Sequence, residues 1–187
     1  KNAWYPAVLE ATSPGEALLE LGCGTGVFSG ILAKNGRRTT LLDFSADSVE
    51  FCRKVFEQAH LAGEFVQADV CRTFPFADRS FDCVWSSGLL EHFTDEQLSF
   101  IMEESARVSR RCVVSLVPNA RSVFYRAGKA YQEAHGLWRW GREDPKRTLK
   151  PFFVRAGLAD VREFAIDVKT ALDFACAIRS PWLRRPM

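Results

Sequence analysis

The sequence predicts an α/β protein built on a doubly wound, mostly parallel sheet with helices on both faces. Three observations carry that reading. Short apolar runs alternate with helix-period stretches from the first strand to about residue 117. The first apolar run, Ala17-Leu18-Leu19-Glu20-Leu21, enters a turn with glycines at alternate positions, Gly22, Gly24 and Gly26. Carboxylates sit at the ends of three successive runs, Glu20, Asp43 and Asp69. Open α/β sheets bind their ligands beyond those strand ends.

Each element has its own local justification. The first strand is a continuous apolar run, as expected of a central strand covered on both faces. The glycine turn leaves backbone bare for close approach by a ligand. Val27, Ile31 and Leu32 then give helical spacing, with Asn35-Gly36 as the stop. Arg38 to Asp43 reads as the second strand. Ser45 to His60 reads as a helix with Val49, Cys52, Val55, Phe56 and Ala59 on one face. Glu64 to Ala68 and Ser80 to Trp85 read as the third and fourth strands.

Thr94 and Gln97 form a capping box, with Phe93 and Leu98 placed as a hydrophobic staple, so a helix is expected to begin there. Cys112 to Val117 is the fifth strand, ended by Pro118-Asn119. Residues 119–147 break the rhythm with aromatic and basic side chains. We expect this segment to be an insertion packed over a substrate pocket; the competing reading is a nucleic-acid surface. Thr148 to Ala156 is expected as a short helix. Val161 to Val168 alternates as a strand does, and Ala171 to Ile178 suits either a strand or a helix. Residues 1–14 read as the tail of a helix followed by a loop, and Pro181 to Met187 as a terminal loop.

Bulk properties bound the function. A chain of 187 residues with 47% hydrophobic and 26% charged residues reads as one ordinary globular domain, residues 1–187. A net charge of +2 gives no case for a nucleic-acid or membrane partner. None of the six cysteines forms a CxxC pair, so no metal site is expected. Buried thiols suit a reducing compartment, and the cytoplasm is the expected location. The first residue is Lys1, not methionine, so the chain reads as a fragment or as lacking its first residues.

Four stretches together resemble the class I S-adenosylmethionine-dependent methyltransferases of small-molecule type. They are Glu20-Leu21-Gly22-Cys23-Gly24-Thr25-Gly26, Leu41-Leu42-Asp43-Phe44-Ser45, Ala68-Asp69-Val70 and Phe81 to His92. The resemblance implies a Rossmann-like sheet of seven strands finishing in an antiparallel hairpin. It implies S-adenosyl-L-methionine as cofactor and S-adenosyl-L-homocysteine as product. Residue by residue, it implies that the backbone around Gly22, Cys23, Gly24 and Gly26 holds the amino-acid end, with Glu20 accepting from the ammonium. Asp43 would take the ribose hydroxyls and Phe44 would pack on the adenine. Asp69 and the Val70 N–H would read the adenine edge. Ser86, Ser87 and Leu89 would border the methionine moiety.

Methyl transfer from a sulfonium is an in-line displacement, so position and water exclusion matter most. An oxygen or nitrogen acceptor also needs a base, and His92 is the expected catalytic residue, with Glu91 orienting it or lining the pocket. The plainer reading of His92 is support for the helix start beside it. Motifs for nucleic-acid bases, protein arginine and metal-dependent catechols are absent from the expected places, which leaves a small-molecule acceptor. Two other classes compete. An NAD-dependent oxidoreductase shares the sheet but spaces its glycines GxGxxG rather than GxGxG. A non-catalytic cofactor-binding domain of a larger protein would keep the glycine turn without turnover.

Overall fold

The structure is a computed structural model and describes residues 4–166. In chain order the elements are α1 (Trp4–Ala11), β1 (Ala17–Leu21), α2 (Val27–Lys34), β2 (Arg38–Asp43), α3 (Ala46–Gln58) and β3 (Glu64–Gln67). There follow β4 (Phe81–Ser87), α4 (Asp95–Val108), β5 (Ser109–Leu116), α5 (Val123–Ala134) and α6 (Lys150–Arg155). The strand order is β3-β2-β1-β4-β5, and each neighbouring pair is parallel. The chain winds outward from β1 in one direction and then, at β4, in the other. That reversal opens a crevice at the carboxyl ends of β1 and β4.

Alternate residues of each strand feed the two faces. Leu19, Leu21, Leu42 and Val84 pack with Leu98, Ile101 and Met102 of α4. Leu18, Cys83 and Trp85 pack on the other face with Val8 of α1 and Leu32 of α2. Leu41 meets Cys52 and Phe56 of α3. Leu18, Leu19, Leu41 and Leu42 have no exposed surface, and each such side chain stabilises the fold by about 1.5–3 kcal/mol. The capping box is formed: Gln97 N–H donates to Thr94 Oγ1 at 3.3 Å and Thr94 N–H to Gln97 Oε1 at 3.0 Å.

Among the described residues the sheet has five strands, and much of the stretch where the hairpin was expected lies outside them. Residues 161–166 alternate in sequence but pair with no strand. Within this segment, Glu163 bonds the start of α6. Its carboxylate turns back to cap α6, accepting from Leu149 N–H at 2.6 Å, Lys150 N–H at 3.1 Å and Thr148 Oγ1 at 2.7 Å. Phe164 is left 75% exposed. The rest of that expected strand, the segment 171–178 and the loop 181–187 lie outside the described residues. Tyr5 stacks on Phe28 of α2 with ring centroids 6.5 Å apart, which is a packing role.

Candidate functional site

The three turn glycines differ in purpose. All have positive φ: +66° at Gly22, +52° at Gly24 and +65° at Gly26. A Cβ at Gly22 would lie 2.6 Å from Leu89 Cδ1, and one at Gly26 would lie 2.7 Å from Cys52 Sγ. These two positions let the turn seat against its neighbours. A Cβ at Gly24 would meet nothing within 4 Å, so Gly24 is the bare backbone that faces open space.

The backbone donors of the turn are mostly spent inside the protein. Gly22 and Cys23 N–H both donate to Leu42 O, at 2.8 and 3.1 Å. Gly26 N–H donates to Cys23 O at 2.8 Å, and Gly24 N–H to Asp43 Oδ2 at 2.9 Å. Gly22, Cys23, Gly24 and Gly26 therefore shape the cradle rather than aim free N–H groups into it. The first turn of α2, beginning at Val27, supplies donors that no helix can satisfy internally. The sequence reading missed this division of labour, although the position of Val27 after the last glycine signals it. Cys23 itself is buried, with its Sγ 3.6 Å from Cys52 Sγ.

Asp43, at the tip of β2, is 7% exposed. Its Oδ1 accepts from Ser45 N–H at 3.0 Å while Oδ2 holds Gly24. Each oxygen keeps a second lone pair, so the carboxylate is fixed and still able to accept. Phe44 beside it is 76% exposed, an aromatic face at the strand tip with no core role. Glu20 pairs in register with Leu41 and Trp85 and lies on the α2 face. Its Oε2 is buried without a hydrogen-bond partner. Burial pushes its carboxyl up to about 8, against the opposing pull of the neighbouring Ser29.

Asp69 follows β3 with its side chain half exposed, and its Oδ1 accepts from Cys71 N–H at 2.9 Å. Val70 is buried in the core, so only its backbone is left for a ligand. Ser86 is buried and bonds Ser115 Oγ across the β4–β5 pair at 3.3 Å. Ser87 ends β4 half-buried, and Leu89 packs onto Gly22 and the α4-side core. Together these residues line one rim, from β3 past the glycine turn to the end of β4.

Beyond β4 a single 3-10 turn, Leu90–His92, carries Glu91 and His92. His92 is exposed, and its Nδ1 lies 2.9 Å from Arg142 O. Glu91 is 3% exposed, its Oε2 has no partner, and burial pushes its carboxyl up to about 7. The 119–147 segment returns to this turn: Asp144 N–H donates to Glu91 O at 2.7 Å. Tyr125 Oη donates to Glu143 Oε2 at 2.5 Å; burial, then this bond, raises the Tyr125 pKa. Tyr125 and Glu143 carried no sequence motif, and only the return of the chain places them beside Glu91.

The arrangement suits an adenosyl sulfonium amino acid. Glu20 is a buried acceptor with its Oε2 unpartnered, Gly24 is an open stretch of backbone, and Asp43 with Phe44 offers an acceptor beside a flat apolar face. A parallel sheet reversing at β4, with a glycine turn against a helix N-terminus, defines a nucleoside-binding α/β domain.

Comparison narrows the class. Residues 18–111 match the family described as "Methyltransferase domain". A fatty-acid O-methyltransferase of Mycolicibacterium smegmatis is 35% identical over 63% of this chain and 42% of its own length. A malonyl-[acyl-carrier protein] O-methyltransferase of Serratia marcescens is 31% identical over 67% of this chain and 47% of its own. A solved structure titled for the conversion of a disulfide bond into a thioacetal group during echinomycin biosynthesis superposes with a TM-score of 0.65. It is 25% identical and covers 80% of this chain and 65% of that one. The chain belongs to the class I S-adenosylmethionine-dependent methyltransferases, the family whose cofactor is S-adenosylmethionine. It spans less than half the length of the two curated relatives described. Among the described residues no helix is long and apolar enough to cross a membrane.

Proposed function

We propose that this chain moves the methyl group of S-adenosylmethionine to an oxygen of a small-molecule acceptor. The observation that carries the reading is the joint placement of Glu20, Asp43 and Asp69 around a glycine turn that Asp43 itself fixes through Gly24. The choice of oxygen over nitrogen or carbon leans on the two relatives, both O-methyltransferases of acyl compounds by name.

In this reading the cofactor supplies a methyl group already activated on sulfur, and the protein's residues do the holding. Glu20 accepts from the ammonium, and the first turn of α2 donates to the carboxylate. Asp43 accepts from the ribose, Phe44 covers the adenine face, and Asp69 with the Val70 backbone reads its edge. Ser86, Ser87 and Leu89 border the methionine moiety. Residues 119–147 act as the substrate cover of a single domain, returning to the 3-10 turn through Asp144 N–H and Glu91 O. His92 stands there to take a proton from an O–H acceptor, its Nδ1 hydrogen directed to the Arg142 carbonyl. The free cysteines among the described residues fit a reducing, cytoplasmic setting.

The test has two parts. Calorimetric titration with S-adenosylhomocysteine should show saturable binding, while NADH should show none. Incubation with methyl-labelled cofactor and a panel of fatty acids and acyl thioesters should then label an acceptor. A folded chain that fails to bind S-adenosylhomocysteine would overturn the reading. Binding without transfer to any acceptor would return it to a non-catalytic cofactor-binding domain.

A further inference from the structure

We propose that Glu91, His92 and Glu143 form a divalent-cation site at the acceptor end of the crevice, suited to an ion such as Mn²⁺ or Zn²⁺. One candidate ligand atom from each of the three lies within 4.8 Å of the other two. In a tetrahedral set with each ligand about 2.1 Å from the ion, two ligands stand about 3.4 Å apart. The three side chains therefore need to close by about 1.4 Å at most.

A second observation is independent of this clustering. Glu91 is 3% exposed and its Oε2 has no hydrogen-bond partner. A buried polar atom without a partner is costly, and a buried carboxylate is normally paired or on a metal. Glu91 is the residue that gives the cluster an internal acceptor lacking a donor.

The other two members are already held as ligands usually are. Metal-binding imidazoles direct their second nitrogen to a carbonyl or carboxylate, which fixes the tautomer. His92 places Nδ1 2.9 Å from Arg142 O, which leaves Nε2 with the lone pair. Ligating carboxylates are themselves hydrogen-bonded, and Glu143 Oε2 accepts from Tyr125 Oη. Two carboxylates with one imidazole make a mixed oxygen and nitrogen set, in which the carboxylates suit Mn²⁺ and the imidazole suits Zn²⁺. Three protein ligands leave coordination positions for water or for an acceptor oxygen.

The site joins two parts of the chain that are far apart in sequence. Glu91 and His92 belong to the turn after β4, and Glu143 to the covering segment, which touches that turn through Asp144 N–H and Glu91 O. A bound ion would clamp the cover over the crevice. With the ion bound, the His92 lone pair is a ligand, and its service as a base belongs to the ion-free protein. Ion binding stands apart from the methyl-transfer reading; only its link to the acceptor rests on that reading.

The experiment uses the full chain, stripped with chelator and titrated with MnCl₂ by calorimetry and by loss of the free-ion electron paramagnetic resonance signal. One ion per chain is expected, with a rise in Tm. Glu91→Gln and Glu143→Gln should each weaken binding about tenfold or more. Should Glu91→Gln fail to fold, Glu143→Gln, at a less buried position, carries the test. S-adenosylhomocysteine affinity should be unchanged in Glu143→Gln, which separates this site from the cofactor crevice. No binding, or binding that both variants leave intact, would overturn the proposal. Loss of S-adenosylhomocysteine binding in the unmodified protein would instead sink the functional reading and leave the ion result standing.

Discussion

Asp43 Oδ2 accepts a hydrogen bond from Gly24 N–H at 2.9 Å, so the tip of β2 sets the shape of the turn that leaves β1. The same carboxylate holds Ser45 N–H at 3.0 Å, at the N-cap of α3. One side chain thus couples two strands, one helix start and the open face of Gly24. Hydrogen bonds to a charged group are worth about 1.5–3 kcal/mol each. Asp43→Ala should weaken S-adenosylhomocysteine binding by about 2–3 kcal/mol, a loss of about 30- to 150-fold, and should also lower Tm. Calorimetry on a variant shown to be folded by circular dichroism checks this; unchanged affinity would remove Asp43 from the site.

The turn glycines should respond differently to alanine. A left-handed backbone costs an L-residue about 1–2 kcal/mol, and both Gly24→Ala and Gly26→Ala incur it. Gly26→Ala also drives a methyl group into Cys52 Sγ at 2.7 Å and Leu41 Cδ2 at 2.9 Å, both buried. It should therefore lower Tm by several degrees more than Gly24→Ala. Gly24→Ala has space on the protein side and should act mainly on ligand affinity. Thermal melts paired with titrations separate the two effects, and equal Tm losses would refute the assignment of roles.

Glu20 should make stability and binding depend on pH. Burial raises its carboxyl from 4.5 to about 8 in the folded chain. Between those values the folded protein keeps a proton that the unfolded chain has lost, so stability falls as pH rises through that window. The slope is about 1.4 kcal/mol per pH unit at most. Glu20→Gln should flatten the dependence and gain relative stability near pH 8. A cofactor ammonium beside Glu20 would favour its ionised form, so binding at neutral pH should release protons. Titrations in buffers of different ionisation enthalpy read that release, and Glu20→Gln should abolish it.

Arg107 fastens the loop between β3 and β4 to α4. Its guanidinium donates to both oxygens of Glu104, at 2.8 and 2.7 Å, and to the carbonyls of Phe74 and Phe76, at 3.1 and 2.8 Å. Glu104 in turn accepts from Phe74 N–H at 2.6 Å. Arg107→Ala leaves the mostly buried Glu104 without its cation, and we expect a loss of about 2–3 kcal/mol. Arg107→Lys should restore little of it, because an ammonium cannot make the planar fork. Urea denaturation of the two variants provides the measurement.

The placement of the three carboxylates near strand ends was legible in the sequence because short-range pattern fixes it. Glu20, Asp43 and Asp69 stand where apolar runs end, and the order of β1 to β4 follows from alternating periods. The division of donors was not legible. Leu42 O consumes the N–H groups of Gly22 and Cys23 only because β2 lies beside β1 in this register. Of the expected strand at 161–168 only residues 161–166 are described; they pair with no strand, and alternation by itself does not register where a partner edge stands. The described part of it is instead held by Glu163 capping α6.

The chain itself determined the α/β class, the family, the glycine turn and the capping box at Thr94, since each depends on residues within one or two turns of one another. Tertiary structure alone decided the side-chain cluster at the turn after β4. Glu91, His92, Tyr125 and Glu143 meet only when the segment after β5 folds back onto the turn after β4. No local propensity encodes such a meeting: contacts across that separation are set by how the packed elements close on one another, not by the spacing of residues along the chain.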